Sequence, residues 1–175
     1  MVVVAITGTP GTGKTAVSKA MKAQGWRILD LNKEIVRNKL YTGRDAKRKS
    51  FIADMPAVQR FVKKNIKSGD WLVVSHLSHL LPASMIDTTI VLRCRPDRLK
   101  LRLKAKRWSK AKVNENFEAE LIGLIAVEAR QKHRKVYDID TTKRTAKQSA
   151  ALIGKVLKGK GERYRTTIDW LMIRG

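Results

Sequence analysis

The stretch Val2-Val3-Val4-Ala5-Ile6-Thr7-Gly8-Thr9-Pro10-Gly11-Thr12-Gly13-Lys14-Thr15 decides the fold. Its first five residues are apolar and mostly β-branched with no polar alternation, which suits a parallel strand buried on both faces. Residues 8–15 then match G-x-x-x-x-G-K-[ST], and residues 14–24 have helical composition that stops at Gly25. Strand, glycine-rich turn and helix are the context in which that pattern has a physical meaning. Backbone N–H groups of Gly11, Thr12, Gly13, Lys14, Thr15 and Ala16 form an anion nest at a helix N-terminus. Lys14 reaches the β- and γ-phosphates of a nucleotide, and the Thr15 hydroxyl ligates Mg²⁺.

Further strands are expected at residues 26–29, 71–74, 88–92 and 136–139, each a short apolar run. Asp54-Met55-Pro56 supplies an N-cap and an early proline for a helix over 55–67. A basic helix starts at Pro96, in which Leu99, Leu101 and Leu103 do not define one apolar stripe. One long helix is expected over 116–133, another over 146–157, and a small docked helix near Ile168-Asp169-Trp170-Leu171 after a hinge at Gly159-Lys160-Gly161. Strands alternating with helices imply an α/β fold with right-handed crossovers, here a five-stranded parallel sheet flanked by helices, of the P-loop NTPase class. No repeat, Pro- or Ser-rich linker or low-complexity block divides residues 1–175, so one domain is expected.

Of the 175 residues, 43% are hydrophobic and 30% charged, a globular balance that excludes intrinsic disorder. One cysteine, Cys94, excludes an intrachain disulfide framework and a four-cysteine zinc site and fits a reducing compartment. No apolar run approaches the roughly 20 residues that span a bilayer, and no basic leader precedes an apolar signal core, so a cytoplasmic location is expected. Lys plus Arg number 38 against 15 for Asp plus Glu, a net charge of +23. Charge so one-sided repels itself in a compact chain unless anions take up the field, which points to a polyanionic partner such as RNA, with a solubility or host-environment effect as the alternative. Between Arg93 and Lys112 stand ten basic residues and a single acid, Asp97, and that concentration favours a binding face.

A phosphate-loop motif a few residues from the start of so small a chain suits a nucleotide or small-molecule kinase. A GTPase would need a guanine-selecting Asn-Lys-x-Asp segment, and none occurs. Phosphoryl transfer requires positioning, Mg²⁺ and cationic clamps rather than covalent catalysis, and the basic stretch can supply the clamps.

Beyond the phosphate loop, Ser75-His76-Leu77-Ser78-His79-Leu80, Arg107-Trp108-Ser109-Lys110-Ala111-Lys112, Glu115-Asn116-Phe117-Glu118-Ala119-Glu120-Leu121 and Asp138-Ile139-Asp140-Thr141-Thr142 resemble segments of one family. It is the adenylate kinases of archaea and eukaryotes linked to small ribosomal subunit assembly, known in humans as adenylate kinase isoenzyme six, and the likeness covers nearly the whole chain. The resemblance implies MgATP and AMP as substrates, some ATP hydrolysis, and association with a small-subunit ribosomal protein, with rRNA as the polyanionic partner that the charge points to; a monomer is the default. It also implies a monophosphate-binding segment at about 31–54, with Lys33 and Arg37 as phosphate ligands or, equally, as solvated helix charges. A lid is implied at about 105–115, and the basic tail follows from about 159. Lys106 stands where the family usually has an ATP-contacting Arg, and lysine lacks that planar fork.

The family pattern Asp-x-His reads Val74-Ser75-His76 here, so the carboxylate that helps hold the Mg²⁺ hydration shell is replaced by valine. ATP binding can survive this, because Mg²⁺ keeps several waters and uses few protein ligands. An ATP-binding assembly switch with weak turnover is therefore the alternative to a working kinase, and a kinase for another small acceptor is a third reading. His76 remains the second catalytic candidate after Lys14, able to orient a water or a phosphate. His79 reads as structural, Trp108 as a hydrophobic plug, Cys94 as a buried thiol without a role, and Trp170 as the anchor of the tail.

Overall fold

The computed structural model describes residues 1–46 and 50–173. Five strands, β1 (Val3–Thr7), β2 (Arg27–Asp30), β5 (Trp71–Val74), β6 (Thr88–Arg93) and β7 (Val136–Asp140), form a parallel sheet in the order β2-β5-β1-β6-β7. These are the five strands expected from the sequence, each within a residue or so. β1 lies at the centre, pairing with β5 on one side and β6 on the other, and all five of its residues are buried. Alternate side chains go to opposite faces. Val4 and Ile6 pack with Val17 and Met21 of α1 (Lys14–Lys22) and with Ile153 and Val156 of α7 (Ala146–Leu157). Val3 and Ala5 pack on the other face with Leu31 and Ile35 of α2 (Leu31–Arg37) and with Val58 and Val62 of α3 (Met55–Asn65). Two-sided burial is why β1 shows no polar alternation.

Capping marks the helix starts. The Asp54 carboxylate accepts from the Ala57 N–H at 3.0 Å ahead of α3, and Thr145 and Gln148 form a reciprocal capping box on α7. The helix expected to run to 67 stops at Asn65, because Ile66 is already extended. In α4 (Pro96–Ala105), Leu99 and Leu103 are fully buried while Leu101 is 57% exposed, so the core stripe runs at i, i+4.

Three expectations need correction. The long helix over 116–133 is two helices, α5 (Lys110–Leu121) and α6 (Leu124–Lys132), separated at Gly123, whose φ of 65° lies in the left-handed region. A Cβ at Gly123 would stand 3.3 Å from a guanidinium nitrogen of Arg93. The tail forms no helix at 168–171. It is held instead by side-chain contacts, with Trp170 at 8% exposure. Finally, residues 41–53 contain an antiparallel hairpin, β3 (Tyr41–Asp45) with β4 (Ser50–Ala53), that the sequence does not announce. Its strands are exposed or half-buried on both faces, so they carry no apolar alternation; a Tyr41–Phe51 ring contact at 4.3 Å joins them. Among the described residues no helix is long and apolar enough to cross a membrane.

Replacing Gly123 with Ala forces a side chain into the left-handed region beside Arg93, a cost of about 1–2 kcal/mol. A thermal or urea melt should show that loss, with the circular dichroism of the native fold retained.

Candidate active site

The segments that follow β1, β2 and β5, together with residues of α4, α5 and α6, line one cleft of about 870 Å³. The loop joining β1 to α1 forms its floor. Lys14 Nζ donates to the carbonyls of Gly8 at 2.5 Å and Thr9 at 3.1 Å, folding the side chain back across its own loop. Thr12 Oγ1 also donates to the Thr9 carbonyl at 2.9 Å. Gly11 has no room for a side chain: a Cβ would meet Leu99 and Leu103 of α4 at 2.8 and 2.9 Å. Gly13, at a φ of 102°, caps α1 with open space beside it. The result is an open cradle of backbone N–H groups with a cation at its centre, the arrangement that fits a phosphate chain. Thr15 and Ala16 line the cleft, so the Thr15 hydroxyl can reach a phosphate-bound metal ion.

Burial pulls the Lys14 ammonium down to about 7; Glu120 opposes that shift and Lys106 adds to it. Lys106 ends α4, at the rim of the cleft, with its Nζ 5.7 Å from the Trp108 ring. Lys112 Nζ stands 4.3 Å from the same ring, while Trp108 packs on Cys94, Leu99, Leu103 and Val113. Trp108 is thus a plug whose π-face gathers two cations. Residues 105–115 are not a free loop: they are the end of α4, a tight turn with Arg107 at a φ of 56°, and the first turns of α5, capped by Ser109.

His76 is half-buried in the cleft wall, and burial, followed by Lys14, His79 and Lys112, pushes its pKa down to about 4. It is a neutral imidazole at physiological pH, able to accept or donate a hydrogen bond. His79 is a buried strut. Its Nδ1 contacts Thr7 Oγ1 at 2.9 Å and its Nε2 contacts Glu128 of α6 at 3.0 Å. Burial lowers its pKa against the pull of Glu128. Burial also pushes the Cys94 thiol up to about 11, which makes it inert.

Val74 faces the core beside Val17 and Met21, so β5 ends without a carboxylate in the cleft. Among the described residues no cluster of three His, Cys, Asp or Glu side chains could hold a metal ion. Lys33 and Arg37 lie on α2 around a separate shallow hollow and do not line the cleft. Their neighbour Asn32 does, accepting from the Ser75 hydroxyl at 3.0 Å.

Several residues to which the sequence assigned no role meet here. Arg102 donates to the carbonyls of Thr141 at 3.0 Å and Thr142 at 3.2 Å, and it lines the cleft beside the phosphate loop. It is one of ten basic residues between Arg93 and Lys112, and nothing in the run singles it out. Thr141 Oγ1 lies 2.7 Å from the Thr12 carbonyl, tying the loop after β7 to the phosphate loop. Glu120, buried at 2% exposure, accepts from the Thr9 hydroxyl at 2.6 Å. It lies in the segment 115–121 that carries the family resemblance, which assigned it no role.

Residues 4–123 match the family model described as AAA domain. A protein of Methanosarcina acetivorans named "Putative adenylate kinase" is 40% identical over 96% of this chain and 97% of its own length. One of Methanocaldococcus jannaschii with the same name is 35% identical over 95% and 92%. The chain belongs to this family of P-loop kinases. The family's fold extends to solved structures at low identity. Shikimate kinase from Acinetobacter baumannii, in complex with shikimate, superposes with a TM-score of 0.63 at 12% identity over 91% of this chain and 94% of that one. TT1252 from Thermus thermophilus gives 0.58 at 16% identity over 90% and 97%.

The low pKa of His76 makes stability depend on pH. On acidification the unfolded chain takes up this proton near 6.5, whereas the folded protein resists until about 4. His76 therefore lowers stability as pH falls through that interval and has no effect above it. An NMR titration should place the His76 midpoint near 4, and a midpoint above 6 would contradict the burial of this ring among cations.

Proposed function

We propose that the protein is an ATP-dependent nucleoside monophosphate kinase that transfers the γ-phosphoryl group of ATP to AMP. The observation that carries this reading is the cradle around Lys14 opening into one cleft that Arg102, Lys106, Asn32, His76 and Leu80 also line. In this reading Gly11 to Ala16 bind the phosphates through backbone N–H groups. Lys14 neutralises developing charge, and Lys106 closes from the lid at 105–115. Neutral His76 orients the acceptor phosphate or a water. Residues 31–54, which include α2 and the hairpin, receive the monophosphate, with Lys33 and Arg37 able to reach it only if that segment folds inward. Mg²⁺, held by Thr15 and the phosphates, would offset charge on the transferring group. The names of the archaeal relatives support the same reading, and the expected setting is the cytoplasm.

The test is ADP formation from MgATP, alone and with AMP, CMP, GMP or UMP. Stimulation by AMP is expected, with Lys14→Ala lowering the rate about a hundredfold or more. ATP binding without turnover would favour the assembly-switch reading, in which Val74 has weakened the chemistry; Val74→Asp should then raise turnover, including any ATP hydrolysis.

A second reading, partnership with a small-subunit ribosomal protein and rRNA, is favoured by one observation besides net charge. At the opposite end of the sheet, where β7 begins, a hollow of about 530 Å³ is lined by Arg130, Lys132, His133, Arg134 and Arg165, with no acid in its described wall. Such a surface suits phosphodiester groups. Replacing Lys132, Arg134 and Arg165 by Gln should weaken binding of a single-stranded RNA and flatten its salt dependence by about 0.7 for each phosphate no longer neutralised. An unchanged slope would dismiss this surface.

A further inference from the structure

The phosphate loop is tied to the far end of the chain. Thr9 is 1% exposed, and its carbonyl is the acceptor on which Lys14 Nζ and the Thr12 hydroxyl converge. The direction of that carbonyl therefore sets the shape of the cradle and the resting place of its cation. The Thr9 hydroxyl in turn donates to Glu120 Oε2 at 2.6 Å, across 111 residues of sequence. The other carboxylate oxygen, Oε1, accepts three donors: Arg93 Nε at 2.8 Å, the Cys94 N–H at 3.0 Å and Trp170 Nε1 at 3.0 Å. Arg93 and Asp138 hold the segment before Trp170, through the Ile168 carbonyl at 2.9 Å and the Ile168 N–H at 3.0 Å. The indole lies 5.7 Å from the Arg93 guanidinium. Beyond it, Leu171, Met172 and Ile173 are exposed.

We infer that Glu120 is a positioning residue for the phosphate loop and that Trp170 of the C-terminal segment fixes it, making the tail a working part of the nucleotide site. The carboxylate joins the two ends of that relay, with four donors competing for its two oxygens. Removing the indole donor leaves Glu120 free to turn toward Arg93 and Cys94, which loosens Thr9; removing the Thr9 hydroxyl does the same from the other end. The inference rests on the nucleotide reading only for its binding readout, and its coupling can be read in the free protein.

Thr9→Val keeps shape and loses the hydroxyl, Thr9→Ser keeps the hydroxyl, and Trp170→Phe keeps an aromatic ring without the N–H. MgATP affinity should fall about tenfold in Thr9→Val and in Trp170→Phe, as for loss of one hydrogen bond to a charged group, and Thr9→Ser should restore it. Because both changes act through Glu120, the double variant should lose less than the product of the two. The Trp170 indole N–H resonance, identified by its absence in Trp170→Phe, should move in ligand-free Thr9→Val and should move again when MgATP saturates the wild type. Lowered melting temperature with MgATP affinity within about twofold of wild type in both variants, or an indole resonance indifferent to Thr9→Val, would overturn the inference. If the wild type binds no MgATP, the nucleotide reading fails, and the ligand-free resonance alone decides the relay. Glu120→Gln is the less informative change, because it deprives buried Arg93 of a charge and can prevent folding.

Discussion

Arg93 and Glu120 form a buried ion pair at 2.8 Å, with side chains at 1% and 2% exposure, and the phosphate loop, the β6–β7 side of the sheet and the tail all make contact with it. Two charges in the interior survive only when every remaining proton and lone pair is met. Here Arg93 makes three further hydrogen bonds, to Asp138 at 3.0 Å and to the carbonyls of Glu120 and Ile168, while Asp138 receives Arg130 at 2.8 Å. These partners come from β6, α5, α6, β7 and the tail, so the pair joins two helices and the tail to the β6–β7 side of the sheet. Breaking such a pair from one side costs about 3–5 kcal/mol, because the other charge is stranded. The break between α5 and α6 belongs to the same constraint, since Gly123 passes within van der Waals reach of the guanidinium.

Electrostatics gives the cleft its character. Lys14, Arg102, Lys106 and Lys112 line it together with the carboxylates Glu115 and Glu128, and β5 ends on Val74 rather than on an acid. Burial lowers the Lys14 pKa to about 7, with Glu120 opposing the shift and Lys106 adding to it, and the side chain folds onto the carbonyls of its own loop. Such an excess of cations suits an anionic ligand, whose binding would relieve their mutual repulsion.

Much of the architecture was legible along the chain, because its causes are local. Strand β1 and its loop are contiguous, so burial on both faces and the glycine spacing both appear in one stretch of sequence. Asp54 with Pro56, and the apolar run at 71–74, carry their meaning within a few residues. The site was less legible. Lys14, Thr15, His76 and Lys106 follow from the motif and the family resemblance and do line one cleft, whereas Lys33 and Arg37 fall outside it. Arg102 could not be told from its neighbours because helix direction, not residue type, aims it at Thr141.

What the sequence by itself determined was the parallel α/β fold, the phosphate cradle and the cationic bias, each resting on patterns of a few adjacent residues or on composition. Only the tertiary structure decided the division of α5 from α6, the β3–β4 hairpin, the neutral state of His76 and the link from Trp170 through Glu120 to Thr9. Those depend on side chains far apart in sequence, whose meeting is set by how helices pack on the sheet and by the need of buried charges for complete hydrogen bonding.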